Sequence, residues 1–321
     1  VEKAYAVARL YSLLATRYAS SGELDKAVKF VDGALRALEE LRMAYEEDTA
    51  LTEERLRPYL ELKQIRPNLE IELNYLRRYI YHYIAHVYMS SDKLDKAVEA
   101  AEKAHELAKK LGDVYHEVAS YSLLLRLRIV KDDALSIDEF AELWQKASQA
   151  VEWLGAEIVA AALGNYVVAL ASAGRFSEVE KVLKEWGWVL GLHPVASGLT
   201  YGVLSLFDGQ YLEKAMGRLP EEAKDILLRL SDKDAVEALL KVAQWSTVFL
   251  FALVGLAYCK KSEKQDLKEG GLKLARAAAR AGSGAKGIVG RLFGELAKAL
   301  EGVQMGNCVT DEVRRAVYKL Y

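Results

Sequence analysis

A repeated segment constrains the fold of this chain more than any other feature. Residues 14–41 align without a gap with residues 84–111, and 11 of the 28 aligned positions are identical. The identities include one unbroken run, Leu-Asp-Lys-Ala-Val, at 24–28 and again at 94–98. Because one short unit cannot bury its apolar face alone, such a repeat predicts a core built by stacking copies side by side.

Each copy has the pattern of two helices joined by a short polar turn. The first helix of the first copy carries apolar residues at i, i+3, i+4 and i+7: Tyr11, Leu14, Ala15 and Tyr18. Residues at that spacing share one face of an α-helix. The turns read Ser-Ser-Gly at 20–22 and Ser-Ser-Asp at 90–92. A connection this short predicts that the two helices of each copy run antiparallel.

The two copies resemble tetratricopeptide (TPR) repeats. The matching residues of the first copy are Tyr11, Leu14, Ala15, Tyr18, Gly22, Ala27, Val31 and Ala34. Those of the second copy are Tyr81, Ile84, Ala85, Tyr88, Ala97, Ala101 and Ala104. A weaker match follows at Tyr166, Leu170, Gly174, Val179 and Leu183. The resemblance implies an all-α fold, a TPR-like α-α superhelix in which antiparallel helix hairpins form a solenoid.

The chain also departs from the family. Glu39 and Lys109 stand where the repeat usually closes with proline, and the two good copies lie 70 residues apart. These departures predict a divergent relative with elongated helices. Only 4 of the 321 residues are Pro, and 52% are hydrophobic, which favours helices along the whole chain.

We predict TPR-like repeats over residues 1–190, with clear copies at about 8–41 and 78–111. Residues 191–321 are expected to form divergent helical repeats and C-terminal helices, continuous with the first part, after a break near His193-Pro194. Local signals predict a helix start at Thr52, a helix break at Arg66-Pro67, and helix caps at Ser136, Ser177 and Thr310.

The TPR resemblance also implies a binding groove. In that family the first helix of each repeat turns one face toward a concave groove that binds peptides. The corresponding residues here are Arg9, Ser12, Thr16, Tyr79, His82, Tyr83, His86 and Asn165. Tyr and His suit recognition because they offer a large contact area with few rotatable bonds. The alternative is that these rings pack against a neighbouring helix, and the sequence leaves both interpretations open.

No catalytic constellation emerges from the sequence. His82 and His86 are four residues apart, a spacing that can hold a metal, but no HExxH motif and no third ligand accompany them. Residues 282–287 satisfy GxGxxG, yet a helical Ala/Arg-rich pattern precedes them, so we predict a helix–helix connection. Two cysteines cannot form a disulfide framework or a zinc cage, and Cys259 is predicted to be a buried thiol. We therefore expect no enzyme activity, no metal and no cofactor.

One charge asymmetry suggests an alternative function. Residues 251–300 hold 10 Lys and Arg against 4 Asp and Glu, although the whole chain has a net charge of −2. The predicted basic face consists of Lys273, Arg276, Arg280, Lys286 and Arg291. Such a face can bind phosphates. The alternative is therefore a nucleic-acid-associated helical repeat protein that uses the face at 260–291.

The leading prediction is a non-enzymatic scaffold that binds a peptide or protein partner in the concave groove of a TPR-like superhelix. We expect no membrane association, because the charge-free stretches carry glycines or polar side chains. We expect a cytoplasmic location. Scarce Asn and Gln beside abundant charged residues predict a heat-adapted protein.

Overall fold

The computed structural model of the chain describes residues 2–55, 62–132, 136–152, 154–219, 233–242, 244–305 and 307–321. Within these ranges all regular secondary structure is helical, which confirms the all-α prediction. The chain divides into two compact units, Val1–Lys131 (unit 1) and Asp132–Tyr321 (unit 2). Along the chain, the two units meet between residues 131 and 132, whereas the change of repeat type was expected near residue 190.

Unit 1 contains five helices in the described ranges: α1 (Glu2–Ser20), α2 (Leu24–Arg55), α3 (Leu62–Ser90), α4 (Leu94–Leu111) and α5 (Val114–Val130). Helix α1 packs on α2 and α3 packs on α4, so both predicted hairpins form. Helix α1 also packs on α3, and α5 packs on α4. Alanine is prominent among the buried residues of these helices, which include Ala15, Ala27, Ala34, Ala85, Ala97 and Ala101. Small side chains allow the helix backbones to approach closely, which explains why the repeat retains alanine at these positions.

Four helix ends share one turn geometry. At the first of them, the Gly22 N–H donates to the Ala19 carbonyl at 3.0 Å and the Glu23 N–H donates to the Tyr18 carbonyl at 2.9 Å. The same pair of bonds recurs around Asp92, Gly112 and Gly174. All four pivot residues have positive φ, between 56° and 75°. This is the Schellman motif, in which a left-handed residue ends a helix and satisfies its last carbonyls.

Three predicted helix boundaries are wrong. Helix α2 continues through Thr52 to Arg55, because nothing before Thr52 breaks the helix and an N-cap can act only where a helix begins. Helix α3 is 29 residues long and continues through Pro67, so the one hydrogen bond that the proline removes is outweighed by those of the rest of the helix. The helix predicted to be capped by Ser177 begins earlier, at Phe176, so Ser177 lies inside it.

Ten further helices lie in the described part of unit 2. They are α6 (Ile137–Gln149), α7 (Ala156–Ser172), α8 (Phe176–Gly191), α9 (Pro194–Phe207), α10 (Leu212–Met216), α11 (Lys233–Val242), α12 (Trp245–Lys261), α13 (Gln265–Ser283), α14 (Gly287–Glu301) and α15 (Asp311–Leu320). A short 3-10 turn, Gly209–Tyr211, precedes α10. The predicted capping box at Ser136 and the predicted cap at Thr310 are confirmed.

The tightest helix contact in unit 2 joins α12 to α13 through glycine. A β-carbon added to Gly255 would lie 2.6 Å from the Gly271 carbonyl oxygen, so the two backbones touch at this crossing.

The charge-free stretch at 242–259 largely coincides with α12, whose buried residues include Phe249, Phe251 and Leu253. Among the described residues no helix combines the length and the apolar character that a membrane span requires.

Candidate functional site

Helix α3 carries the aromatic residues that the sequence singled out, and the structure joins them into a continuous chain of rings. The Tyr79 and Tyr83 ring centroids are 4.5 Å apart, and Tyr83 lies 5.9 Å from His82. His82 lies 6.3 Å from His116 of α5, which contacts Tyr115 at 4.7 Å. The ring chain thus connects the middle of α3 to the first turn of α5 within unit 1.

His82 and His86 are half-buried by exposed area, as Tyr79 and Tyr83 are, but burial acts strongly on the two imidazole rings. Burial, reinforced by the nearby His86, His116 and Arg78, lowers the pKa of His82 to about 3. Burial, with Arg126 close by, also lowers the pKa of His86. Tyr115 is 42% exposed, and Tyr79 and Tyr83 are half-buried. The packing interpretation therefore describes His82 and His86, while the two tyrosines retain contact area for a partner.

A buried ion pair fixes the end of α5 beside the rings. Arg78 Nη1 lies 2.9 Å from Asp113 Oδ2, and the Arg78 guanidinium lies 5.4 Å from the Tyr75 ring centroid. Arg78 is only 6% exposed, and its Nε has no acceptor in the ranges that the structure describes. A buried charge is costly without a partner, so the folded state of unit 1 requires the Asp113 carboxylate beside Arg78.

Asp113 caps α5 as well as pairing with Arg78. Its carboxylate accepts hydrogen bonds from the His116 N–H at 3.2 Å and from the His116 Nδ1 at 3.1 Å. Burial alone would raise the pKa of Asp113, but the hydrogen bonds from His116 outweigh it, so the pKa is lowered. No sequence pattern marks Arg78, Asp113 and His116 as neighbours, since only the tertiary structure brings the α5 terminus beside α3.

The remaining predicted groove residues differ in their surroundings. Arg9 is exposed on α1 and lies close enough to Tyr79 to oppose the increase that burial causes in the pKa of the Tyr79 phenol. Ser12 is buried and donates to the Arg9 carbonyl, and Thr16 donates to the Ser12 carbonyl. Asn165 belongs to α7 of unit 2 and is half-buried. The structure therefore brings Arg9 together with the α3 residues, and the hydroxyl groups of Ser12 and Thr16 are satisfied by their own helix.

The described side chains include no cluster of three or more His, Cys, Asp and Glu that could hold a metal. The prediction of a free thiol at Cys259 is wrong, because Cys259 forms a disulfide with Cys308, and their Cα atoms lie 5.9 Å apart. The two cysteines are 49 residues apart in sequence, so their proximity depends on how α12 and the segment before α15 pack. Both are buried, as predicted for Cys259.

The predicted basic face is largely engaged in contacts within the chain. Arg276 donates to the Leu300 and Val303 carbonyls at 3.0 and 2.9 Å and so satisfies the C-terminal end of α14. Lys273 pairs with Glu269 at 2.8 Å, and Arg291 pairs with Glu295 at 2.7 Å. Arg280 and Lys286 are exposed. These contacts within the chain give no added support to nucleic-acid binding by the basic face. Nucleic-acid binding stays a prediction.

The glycine-rich segment at 282–287 joins α13 to α14, which confirms the predicted helix–helix connection.

Comparison of the chain with protein-family models, with curated protein sequences and with solved structures found no match.

Proposed function

We propose that the chain is a non-enzymatic interaction module, a TPR-like helical repeat that binds a peptide or protein partner through unit 1. The contact surface consists of Tyr79 and Tyr83 of α3, Tyr115 of α5 and Arg9 of α1. We call it the tyrosine face. The observation that carries the proposal is the continuous ring chain, which ends in partly exposed tyrosines.

The chemistry of the tyrosine face supports recognition of a polypeptide. Tyrosine has an apolar ring and a polar hydroxyl, and its side chain has few rotatable bonds to immobilise on binding. The rings are held by their neighbours, since His82 contacts Tyr83, His116 contacts Tyr115, and Arg78 anchors the α5 terminus. A preorganised aromatic surface keeps the entropy cost of association low.

The test selects peptides on the full chain from a display library and then maps where they bind. A photo-cross-linking amino acid placed at Tyr83 is expected to capture the selected peptides. The same residue placed at Glu102, an exposed position of α4, serves as the matched control. Equal capture from both positions would show that the tyrosine face does not provide the binding surface.

A substitution series gives the expected magnitude. Alanine at Tyr79 or Tyr83 should weaken peptide binding at least about fivefold, because aromatic residues at the centre of an interface often contribute more than 1 kcal/mol. Alanine at Glu102 should leave the dissociation constant unchanged. Far-UV circular dichroism of each variant checks that the helices remain intact.

A further inference from the structure

A small cleft in unit 2 is lined by residues of α7, α9 and α15. It encloses about 240 Å³. Pockets that bind drug-sized ligands usually enclose about 300–1,000 Å³. The size of this cleft therefore suits a group about as large as one aromatic side chain.

The walls of the cleft are apolar. Val203 and Leu206 lie three residues apart on α9, and Val317 faces them from α15. All three side chains are almost fully buried in unit 2, whereas Phe207 and Tyr318, which also line the cleft, are half-buried. A hydrocarbon group in the cleft would cover these two rings, and removing their apolar surface from water stabilises the bound state.

The rim of the cleft is cationic and offers unused hydrogen-bond donors. Arg315 is exposed and pairs with no acidic residue in the described ranges, and the Tyr318 hydroxyl has no hydrogen-bond partner there. Burial raises the pKa of Tyr318 to about 12, so its hydroxyl stays protonated at neutral pH and can donate. Arg314 pairs with Asp311 at 3.3 Å and is close enough to Lys260 to lower the pKa of that amine, which burial also lowers.

We propose that this cleft binds a small carboxylate attached to an apolar body, such as an arylalkanoate. The hydrocarbon lies against the Phe207 and Tyr318 rings, above the buried Val203, Leu206 and Val317, and the carboxylate accepts hydrogen bonds from Arg315 and the Tyr318 hydroxyl. Two donors suit the two oxygens of a carboxylate, and hydrogen bonds that involve a charged partner are about twice as strong as neutral ones. The proposal concerns unit 2 and does not depend on the tyrosine face.

The test is a ligand-observed NMR titration of the full chain with 3-phenylpropionate and with its neutral counterpart, 3-phenyl-1-propanol. The acid should bind with a dissociation constant on the order of 1 mM, as expected for a ligand of this size. The alcohol should bind at least about tenfold more weakly, since it lacks the charge that Arg315 recognises. Equal affinity for the acid and the alcohol would overturn the proposal, and so would the absence of binding by the acid.

Substitutions at the rim locate the site. Arg315→Ala should weaken binding of the acid about tenfold and Tyr318→Phe should weaken it less, since Tyr318 donates one hydrogen bond from a neutral group. Ser172→Phe, at an exposed position of the cleft, should block binding by filling the space. Arg280→Ala removes an exposed arginine outside the cleft and should leave binding unchanged. Undiminished binding by Arg315→Ala or by Ser172→Phe would contradict the assignment.

Discussion

At the residue scale, the clearest feature of unit 1 is the histidine His82, whose surroundings disfavour its protonated form. His82 has a pKa of about 3, and its Nδ1 has no hydrogen-bond partner in the described structure. Helical spacing predicted that His82 and His86 would share a face with Tyr79 and Tyr83. It could not predict that His116 and Arg78 would surround them, because His116 reaches α3 only through the packing of α5 on α4.

The buried His82 should make the stability of unit 1 depend on pH. Between pH 6.5 and about 3 the unfolded chain binds a proton at His82 that the folded protein excludes, so stability falls as the pH falls. The loss should approach about 1.4 kcal/mol per pH unit in this window and should be absent above it. The measurement is urea unfolding of the wild type and of His82→Leu at pH 7.5, 6, 5 and 4.

The variant should lose stability less steeply than the wild type as the pH is lowered. His193→Asn is the matched control, since it removes a histidine outside the cluster and asparagine preserves a capping side chain at the start of α9. Parallel pH profiles for the wild type and His82→Leu would show that His82 is not the group responsible.

At the element scale, helix type, hairpin order and the caps at Ser136 and Thr310 followed from the sequence, whereas three other helix boundaries did not. The periodic alanines and the Ser-Ser turns predicted α1 to α4, and the Gly174 turn was visible as a weak match. The boundaries predicted at Pro67 and Thr52 were wrong because each residue lies inside a long helix. The hydrogen bonds of the helix on both sides outweigh the local preference of a single residue. The turn that recurs at Asp92 without glycine shows that hydrogen bonding of the last carbonyls determines these ends.

Two glycine-to-alanine substitutions should have opposite effects. Gly174 has φ of 75° and open space around the position of a β-carbon, so Gly174→Ala should destabilise the protein by about 1–2 kcal/mol through backbone strain alone. Gly294 lies within α14, also with open space, and Gly294→Ala should stabilise the protein by about 0.5–1 kcal/mol. Denaturant unfolding measures both differences. A stabilising effect of Gly174→Ala would contradict the left-handed turn, and a destabilising effect of Gly294→Ala would contradict the open helical position of Gly294.

At the scale of the whole molecule, the two units differ in their covalent and spectroscopic properties. The disulfide lies in unit 2, and so do all 5 tryptophans of the chain. Tryptophan fluorescence therefore reports on unit 2, whereas unit 1 contributes through tyrosine and far-UV circular dichroism. The disulfide could not be predicted from the sequence, since two cysteines that are 49 residues apart carry no local signal of their proximity.

Reduction of the disulfide should destabilise unit 2. Closing a loop of 49 residues removes entropy from the unfolded chain, worth about 4 kcal/mol in the chain-entropy estimate. The fluorescence-monitored transition should move to lower denaturant in the presence of a phosphine reductant. Cys308→Ala should show the same displacement without reductant. Two reactive thiols in the denatured, unreduced protein would contradict the bond.

The disulfide also bears on where the chain functions. Buried disulfides persist in oxidising compartments and in the cytosol of hyperthermophilic organisms, but they are rare in the reducing cytosol of mesophiles. The cytoplasmic location and the heat adaptation that we predicted are therefore linked. A cytoplasmic protein with this bond is expected to come from a heat-adapted host.

The shared Schellman turn has a consequence for how such a chain can grow. Four joints close with one pair of hydrogen bonds, and three of them use glycine as the pivot. A tandem gene duplication that inserts another hairpin would also copy its Schellman turn. That turn can end the preceding helix with the same pair of hydrogen bonds. Lengthening by duplication then requires new contacts only between neighbouring helix faces, where alanine already permits close approach.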